Sequence, residues 1–132
     1  MKLIHKNSLI SVPYSLQKYA KSFQQWDKVH AFNLDTALNY EAFLSTCNSS
    51  MLMGEYFIIN DRLKANKNLE IWTFDEWKTI GNLKIGDFIF TDHNKYERVE
   101  NIEPIFESCE AVEVQSTANY FLERYLVKWA DE

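Results

Sequence analysis

The apolar positions change period midway along the chain. Residues 2–12 place two short apolar runs, Leu3-Ile4 and Leu9-Ile10, around a polar patch at residues 5–8. This predicts a hairpin or one irregular strand, ended by Pro13, which has no N–H to give a ladder. From residue 14 to 29 the spacing turns helical: Leu16, Tyr19, Ala20, Phe23 and Trp26 fall on one face, with Gln17, Lys18, Lys21, Gln24 and Gln25 mostly on the other. Asn33 reads as the N-cap of a second helix over residues 34–46, with Leu34, Ala37, Leu38 and Ala42 on one side. The polar run Cys47-Asn48-Ser49-Ser50 reads as the turn that closes it.

Beyond that the pattern is one of strands. Residues 51–59 form a strand candidate interrupted by Gly54, and the polar residues 60–68 read as a connection between two halves. Short strand-like runs follow at residues 69–74, 88–91, 96–102, 111–115 and 120–129, with a hairpin turn at residues 92–95. Thr73-Phe74-Asp75-Glu76 matches a capping box that would start a short helix through Lys78, and reads equally as a turn between strands. No internal repeat is visible. The expected fold is a single α+β domain over residues 1–132: N-terminal helices in residues 1–66 pack on a β-rich half in residues 67–132.

One stretch in the β-rich half carries a resemblance. Residues 77–91, Trp-Lys-Thr-Ile-Gly-Asn-Leu-Lys-Ile-Gly-Asp-Phe-Ile-Phe-Thr, resemble the early apolar-x-x-Leu-x-apolar-Gly-Asp-x-apolar-x-Thr segment of Hint domains, the family of inteins and hedgehog autoprocessing domains. Asn119-Tyr120-Phe121 leading to Tyr125-Leu126-Val127 resembles that family's closing strands. The resemblance covers residues 69–129 and implies a β-fold in which Gly86 and Asp87 form a structural turn. Gly86 supplies backbone angles closed to other residues, and Asp87 bonds nearby amides.

The family's chemistry needs a nucleophilic Cys or Ser at the domain start, a Thr-x-x-His in the middle and a terminal His-Asn. Residues 63–70, taken as that start, hold no such nucleophile. No histidine follows His93, and Lys128-Trp129 stands at the closing position. The resemblance therefore implies a catalytically degenerate scaffold, with no catalytic residue to assign.

Composition sharpens this. Of 132 residues, 46% are hydrophobic and 15% aromatic, enough for a packed core. No apolar run is long enough to span a membrane and none follows the N-terminus as a signal peptide would, so a cytoplasmic protein is expected. The two cysteines, Cys47 and Cys109, read as small packed thiols. No zinc spacing, phosphate loop or other cofactor motif occurs, so neither metal nor cofactor is expected.

The net charge of −5 is uneven. Residues 1–66 carry seven Lys/Arg and five Asp/Glu (+2), and residues 67–132 carry seven and fourteen (−7). An acidic half argues against nucleic-acid binding. Instead, Glu97, Glu100 and Glu103 within the series running to Glu113, together with the aromatic anchors Trp72, Trp77 and Trp129, point to a protein-binding surface. The expected function is a non-catalytic accessory domain that modulates a larger partner. Its Lys-, Asn- and Ile-rich composition suits a phage or mobile element. A structural subunit of a larger assembly, or a small enzyme whose site one sequence hides, are the alternatives.

Overall fold

The computed structural model describes residues 1–128. Among them there is no α-helix: the chain is strand after strand, joined by tight turns and two 3-10 turns. In chain order the strands are β1 (Leu3–His5), β2 (Leu9–Val12), β3 (Leu16–Tyr19), β4 (Lys28–Asn33), β5 (Leu38–Met53), β6 (Tyr56–Ile59), β7 (Leu63–Ala65), β8 (Glu70–Trp72), β9 (Trp77–Thr79), β10 (Phe88–Phe90), β11 (Tyr96–Arg98), β12 (Ile102–Ile105), β13 (Cys109–Ser116), β14 (Tyr120–Leu122) and β15 (Tyr125–Val127). They form a seven-stranded sheet in the order β12-β6-β7-β1-β13-β5-β4, a six-stranded sheet in the order β3-β2-β14-β15-β8-β9, and the hairpin β10-β11. The strand pairings among the described residues are antiparallel, and one apolar core draws residues from both ends of the chain, from Ile4 and Ile10 to Tyr125 and Val127.

The expected N-terminal helices are therefore a misreading, and so is the α+β class. The stripe over residues 14–29 buries only Ala20, Phe23 and Val29; Leu16, Tyr19 and Trp26 are exposed. Ala20 and Phe23 are three apart because they bracket a 3-10 turn, closed by Phe23 N–H to Ala20 C=O at 3.3 Å. Spacing of three fits one such turn as well as it fits a helix.

The Asn33 cap signal is real but short. Its Oδ1 accepts from the N–H groups of Asp35 and Thr36, and Ala37 N–H reaches Asn33 C=O. Ala37 then adopts φ 59° and turns the chain back as β5. The run at residues 47–50 is no turn. It lies inside β5, where the pairing with β13 shifts register between Ala111 and Glu113, a bulge that takes up the extra residue. Thr73–Glu76 resolves as a turn: Thr73 N–H and Oγ1 both reach Glu76 C=O.

The structure also contains a repeat that the sequence hides. Residues 3–44 and 63–99 make the same hydrogen bonds, about sixty positions apart. Ala20 N–H bonds Ser8 C=O, and Ile80 N–H bonds Leu69 C=O, both at 2.8 Å. Asp27 Oδ2 accepts from Gln24 N–H at 2.8 Å and from Lys18 Nζ at 3.3 Å. Asp87 Oδ2 accepts from Lys84 N–H at 2.9 Å and from Lys78 Nζ at 3.1 Å. Leu44 N–H then bonds Asp27 C=O, as Val99 N–H bonds Asp87 C=O. The residue before each aspartate has positive φ: Gly86 at 99°, as expected, and Trp26 at 73°.

The left-handed region costs a non-glycine residue about 1–2 kcal/mol. Trp26→Gly is accordingly expected to raise stability by about 0.5 kcal/mol, after the entropy glycine adds to the unfolded chain, and Gly86→Ala to lower it by about 1–2 kcal/mol. Urea titration of both variants checks the pair.

Burial pushes the Asp87 carboxyl up, but its bonds from the Lys84 amide and Lys78 outweigh this and leave it below its ordinary value of 3.8. Its stabilisation is present above that value and is lost as pH falls through the lower, folded one. Acid titration of wild type against Asp87→Asn should show a shallower acid limb in the variant.

Candidate functional site

Two features stand out from the scaffold: the place where the chain enters the fold, and an aromatic face on the hairpins of the second half.

The entry is held by two asparagines that follow β7. Asn66 Oδ1 accepts from Leu3 N–H at 3.2 Å, and Asn66 Nδ2 donates to the Met1 carbonyl at 2.8 Å. Asn68 Nδ2 donates to the same carbonyl at 3.1 Å. Antiparallel pairing of β1 with β7, Ile4 opposite Ala65, brings these groups together. Glu70 adds a second tie, with Lys2 Nζ at 3.1 Å from one carboxylate oxygen and Lys128 Nζ at 3.7 Å from the other. Lys128 N–H also bonds Glu70 C=O at 2.9 Å.

The start of the fold is thus β1 and not residues 63–70, which form β7 and the loop after it. Residues 1–7 contain no Cys, Ser or Thr. Ser8, the first hydroxyl, is buried, and its N–H bonds His5 C=O.

The aromatic face begins in the core. Phe121 meets Phe32 at 6.3 Å between ring centroids, Phe32 meets Phe90 at 4.9 Å, Phe90 meets Tyr96 at 5.3 Å and Tyr96 meets Phe74 at 5.2 Å. Along this path the rings go from fully buried to exposed: Phe121 is 0% exposed, Tyr96 38% and Phe74 69%. Strand alternation turns Ile89 into the core and Phe88, 44% exposed, outward beside Phe90. Trp72 and Trp77 are half-buried, packed edge to face at 5.1 Å, and rest on the same Phe32–Phe90–Phe121–Leu126 cluster.

The expected binding residues are therefore not one surface. Trp72 and Trp77 border the aromatic face, while Trp129 lies outside the described residues. Glu97 turns inward: Tyr125 Oη donates to its Oε2, Asn60 Nδ2 does so at 3.1 Å, and Arg62 stands 3.5 Å away. Burial, then the bond to Glu97, raises the Tyr125 hydroxyl to about 12. Glu100 and Glu103 are exposed. Glu103 lies beside Pro104 on β12, an edge strand that proline and charge protect from further pairing. The exposed Phe74, Phe88 and Tyr96 were missed because their spacing in sequence carries no period; two hairpins bring them together.

The cysteines do not fit a nucleophile's environment. Both are free, and burial raises each thiol above its ordinary value. Cys47 Sγ lies 3.2 Å from Phe23 C=O. Among the described residues no three His, Cys, Asp or Glu side chains gather as a metal site would, and no helix is long and apolar enough to cross a membrane.

Neither a protein-family profile nor a curated protein sequence matches the chain. Solved structures do. The chain superposes on the DnaB intein from Synechocystis sp. PCC 6803 with a TM-score of 0.79 at 17% identity, over 99% of this chain and 100% of that one. It superposes on a bacterial intein-like domain from Clostridium thermocellum with a TM-score of 0.85 at 15% identity, over 98% and 99%. For the gp41-1 intein the values are 0.78 and 13%, over 97% and 98%. The chain therefore has the intein-like Hint fold along nearly its whole length, where the sequence resemblance covered only residues 69–129.

Asn66→Ala removes three bonds at the chain entry, counting the one from Asn68 N–H to its Oδ1. At about 1 kcal/mol or less for each exposed bond, the expected loss is about 2 kcal/mol. Thermal unfolding checks the loss, and faster amide exchange at Leu3 locates it.

Proposed function

We propose that this chain is a catalytically silent Hint scaffold, an accessory domain of a phage or mobile element, which binds a protein partner through its aromatic face. The observation that carries the reading is the run of ring contacts from Phe90 through Tyr96 to exposed Phe74, with Phe88 exposed on the same strand as Phe90 and the Trp72–Trp77 pair packed on the same buried cluster. Aromatic side chains give large contact area at small entropic cost, and a connected exposed group of them marks an interaction site more often than scattered rings do. The rings are held from behind by the buried Phe32–Phe90 pair, so binding would need little further ordering.

The groups at the chain entry support the silent reading. An acyl shift needs a nucleophile beside the carbonyl and a group that moves a proton. Around Met1 stand the amides of Asn66 and Asn68 and the ion pairs of Glu70. A side-chain amide donates and accepts hydrogen bonds but is neither a general acid nor a general base near neutral pH. Here the amides serve as ties that close the fold.

Phe74→Ser combined with Phe88→Ser tests the binding face. Both side chains are exposed, so the thermal midpoint should move little. Immobilised wild type is expected to retain one stoichiometric protein from its source cells, and the double variant to retain it more than about tenfold less. Equal retention by the two, or no retained protein, contradicts the proposal.

A further inference from the structure

Between the β2–β3 hairpin, the β4–β5 hairpin and the turn residues Asp92 and Arg124 lies a cleft of about 300 Å³. It shares no residue with the aromatic face of the second half. Strand register sets its polar groups. Ile10 faces the core, so alternation turns Ser11 to the other side of β2, and Gln17, its partner on β3, stands beside it. On the other hairpin His30 pairs with Glu41 and Phe32 with Asn39, so His30 and Asn39 share one face. The His30 ring is fixed edge to face on buried Phe121, with centroids 5.7 Å apart.

Two properties distinguish this cleft from ordinary surface. The first is a set of polar groups without partners. Ser11 is only 4% exposed and borders the cleft, yet its hydroxyl makes no hydrogen bond among the described residues and is not sealed from solvent. The side-chain amides of Gln17 and Asn39 and the imidazole of His30 make no hydrogen bond there either. The second is electrical neutrality. Arg124 Nη1 donates to Asp92 Oδ2 at 3.0 Å, and no other permanent charge lines the cleft. An ion finds no free counter-charge here. A neutral ligand whose groups both donate and accept matches a hydroxyl, two amides and an imidazole.

The apolar surface narrows the choice further. Exposed Leu16 borders the same cleft, and a smaller one of about 190 Å³ shares His30 and Asn39 and is walled by Pro13, Tyr14 and Tyr40. We infer that the larger cleft binds a neutral pyranose sugar. Such a ring carries hydroxyls around its rim, each a donor and an acceptor, and C–H groups on its faces. The rim meets Ser11, Gln17, His30 and Asn39, and a face meets Leu16. A few convergent polar groups beside apolar walls is the usual make-up of a small-molecule site.

Chemical-shift titration of the full chain with glucose, galactose and mannose, each beside its uronate, tests this. At least one neutral sugar should give saturable shifts at Ser11, Gln17, His30 and Asn39, with its uronate several-fold weaker. Ser11→Ala should weaken that sugar about fivefold, the scale of one neutral hydrogen bond. It should not lower the thermal midpoint, because the hydroxyl bonds nothing in the free protein. Asn39 is exposed, so Asn39→Ala should keep the fold and weaken the sugar several-fold. The inference is overturned by no saturable shift with any of the three, by shifts outside the cleft, by uronates that bind equally, or by wild-type binding in both variants. If Ser11→Ala fails to fold, Asn39→Ala and the uronate ratio decide it.

Discussion

The fold depends on a carboxylate that captures a backbone amide three residues behind it. Asp27 and Asp87 do this at equivalent places, each joined by a lysine from the preceding strand. The turn so closed takes the chain out of one hairpin and aims it, through a left-handed residue, into the next strand. Without the turn, β3 and β9 would continue along their own sheet. With it, β3 of the six-stranded sheet is followed by β4 of the seven-stranded sheet, β9 is followed by the hairpin β10-β11, and strands from the two halves interleave in the seven-stranded sheet. The remaining turns follow local chemistry, such as the paired positive-φ residues Asn60-Asp61 between β6 and β7 and Glu123-Arg124 between β14 and β15.

Interleaving has a consequence for function. Because β1 lies between β7 and β13, the first residues of the chain meet the loop after β7 across more than sixty positions of sequence. That meeting point is filled with amides and a lysine–glutamate–lysine bridge, which tie the junction together. The surface that remains chemically distinctive is apolar: rings that start in the core and come out on the β8–β9 and β10–β11 hairpins.

What could be read from the sequence was local. Gly86-Asp87 marked its turn because only glycine makes the positive φ cheap and only a short carboxylate reaches back; the strand after it is legible at residues 88–91, while β9 before it is not. The same turn in the first half escaped notice because Trp26 replaces the glycine and Gln24-Gln25 replace Lys84-Ile85, so identical backbone bonds carry dissimilar side chains. The apolar spacing of residues 16–26 then imitated a helix. Asn33 was rightly seen as a residue that captures amides, but nothing local says that Ala37 stops the turn after one revolution. The chain entry was sought near residue 63 because the first half did not look like the second.

On the function proposed above, an intein-like fold persists here without self-cleavage. The most direct measurement is the intact mass of the purified chain carrying a short peptide fused ahead of Met1, followed over days with and without hydroxylamine. A single species at the full fused mass is the result the account predicts. Release of the fused peptide, or a hydroxylamine-sensitive product cut near Met1, would contradict it.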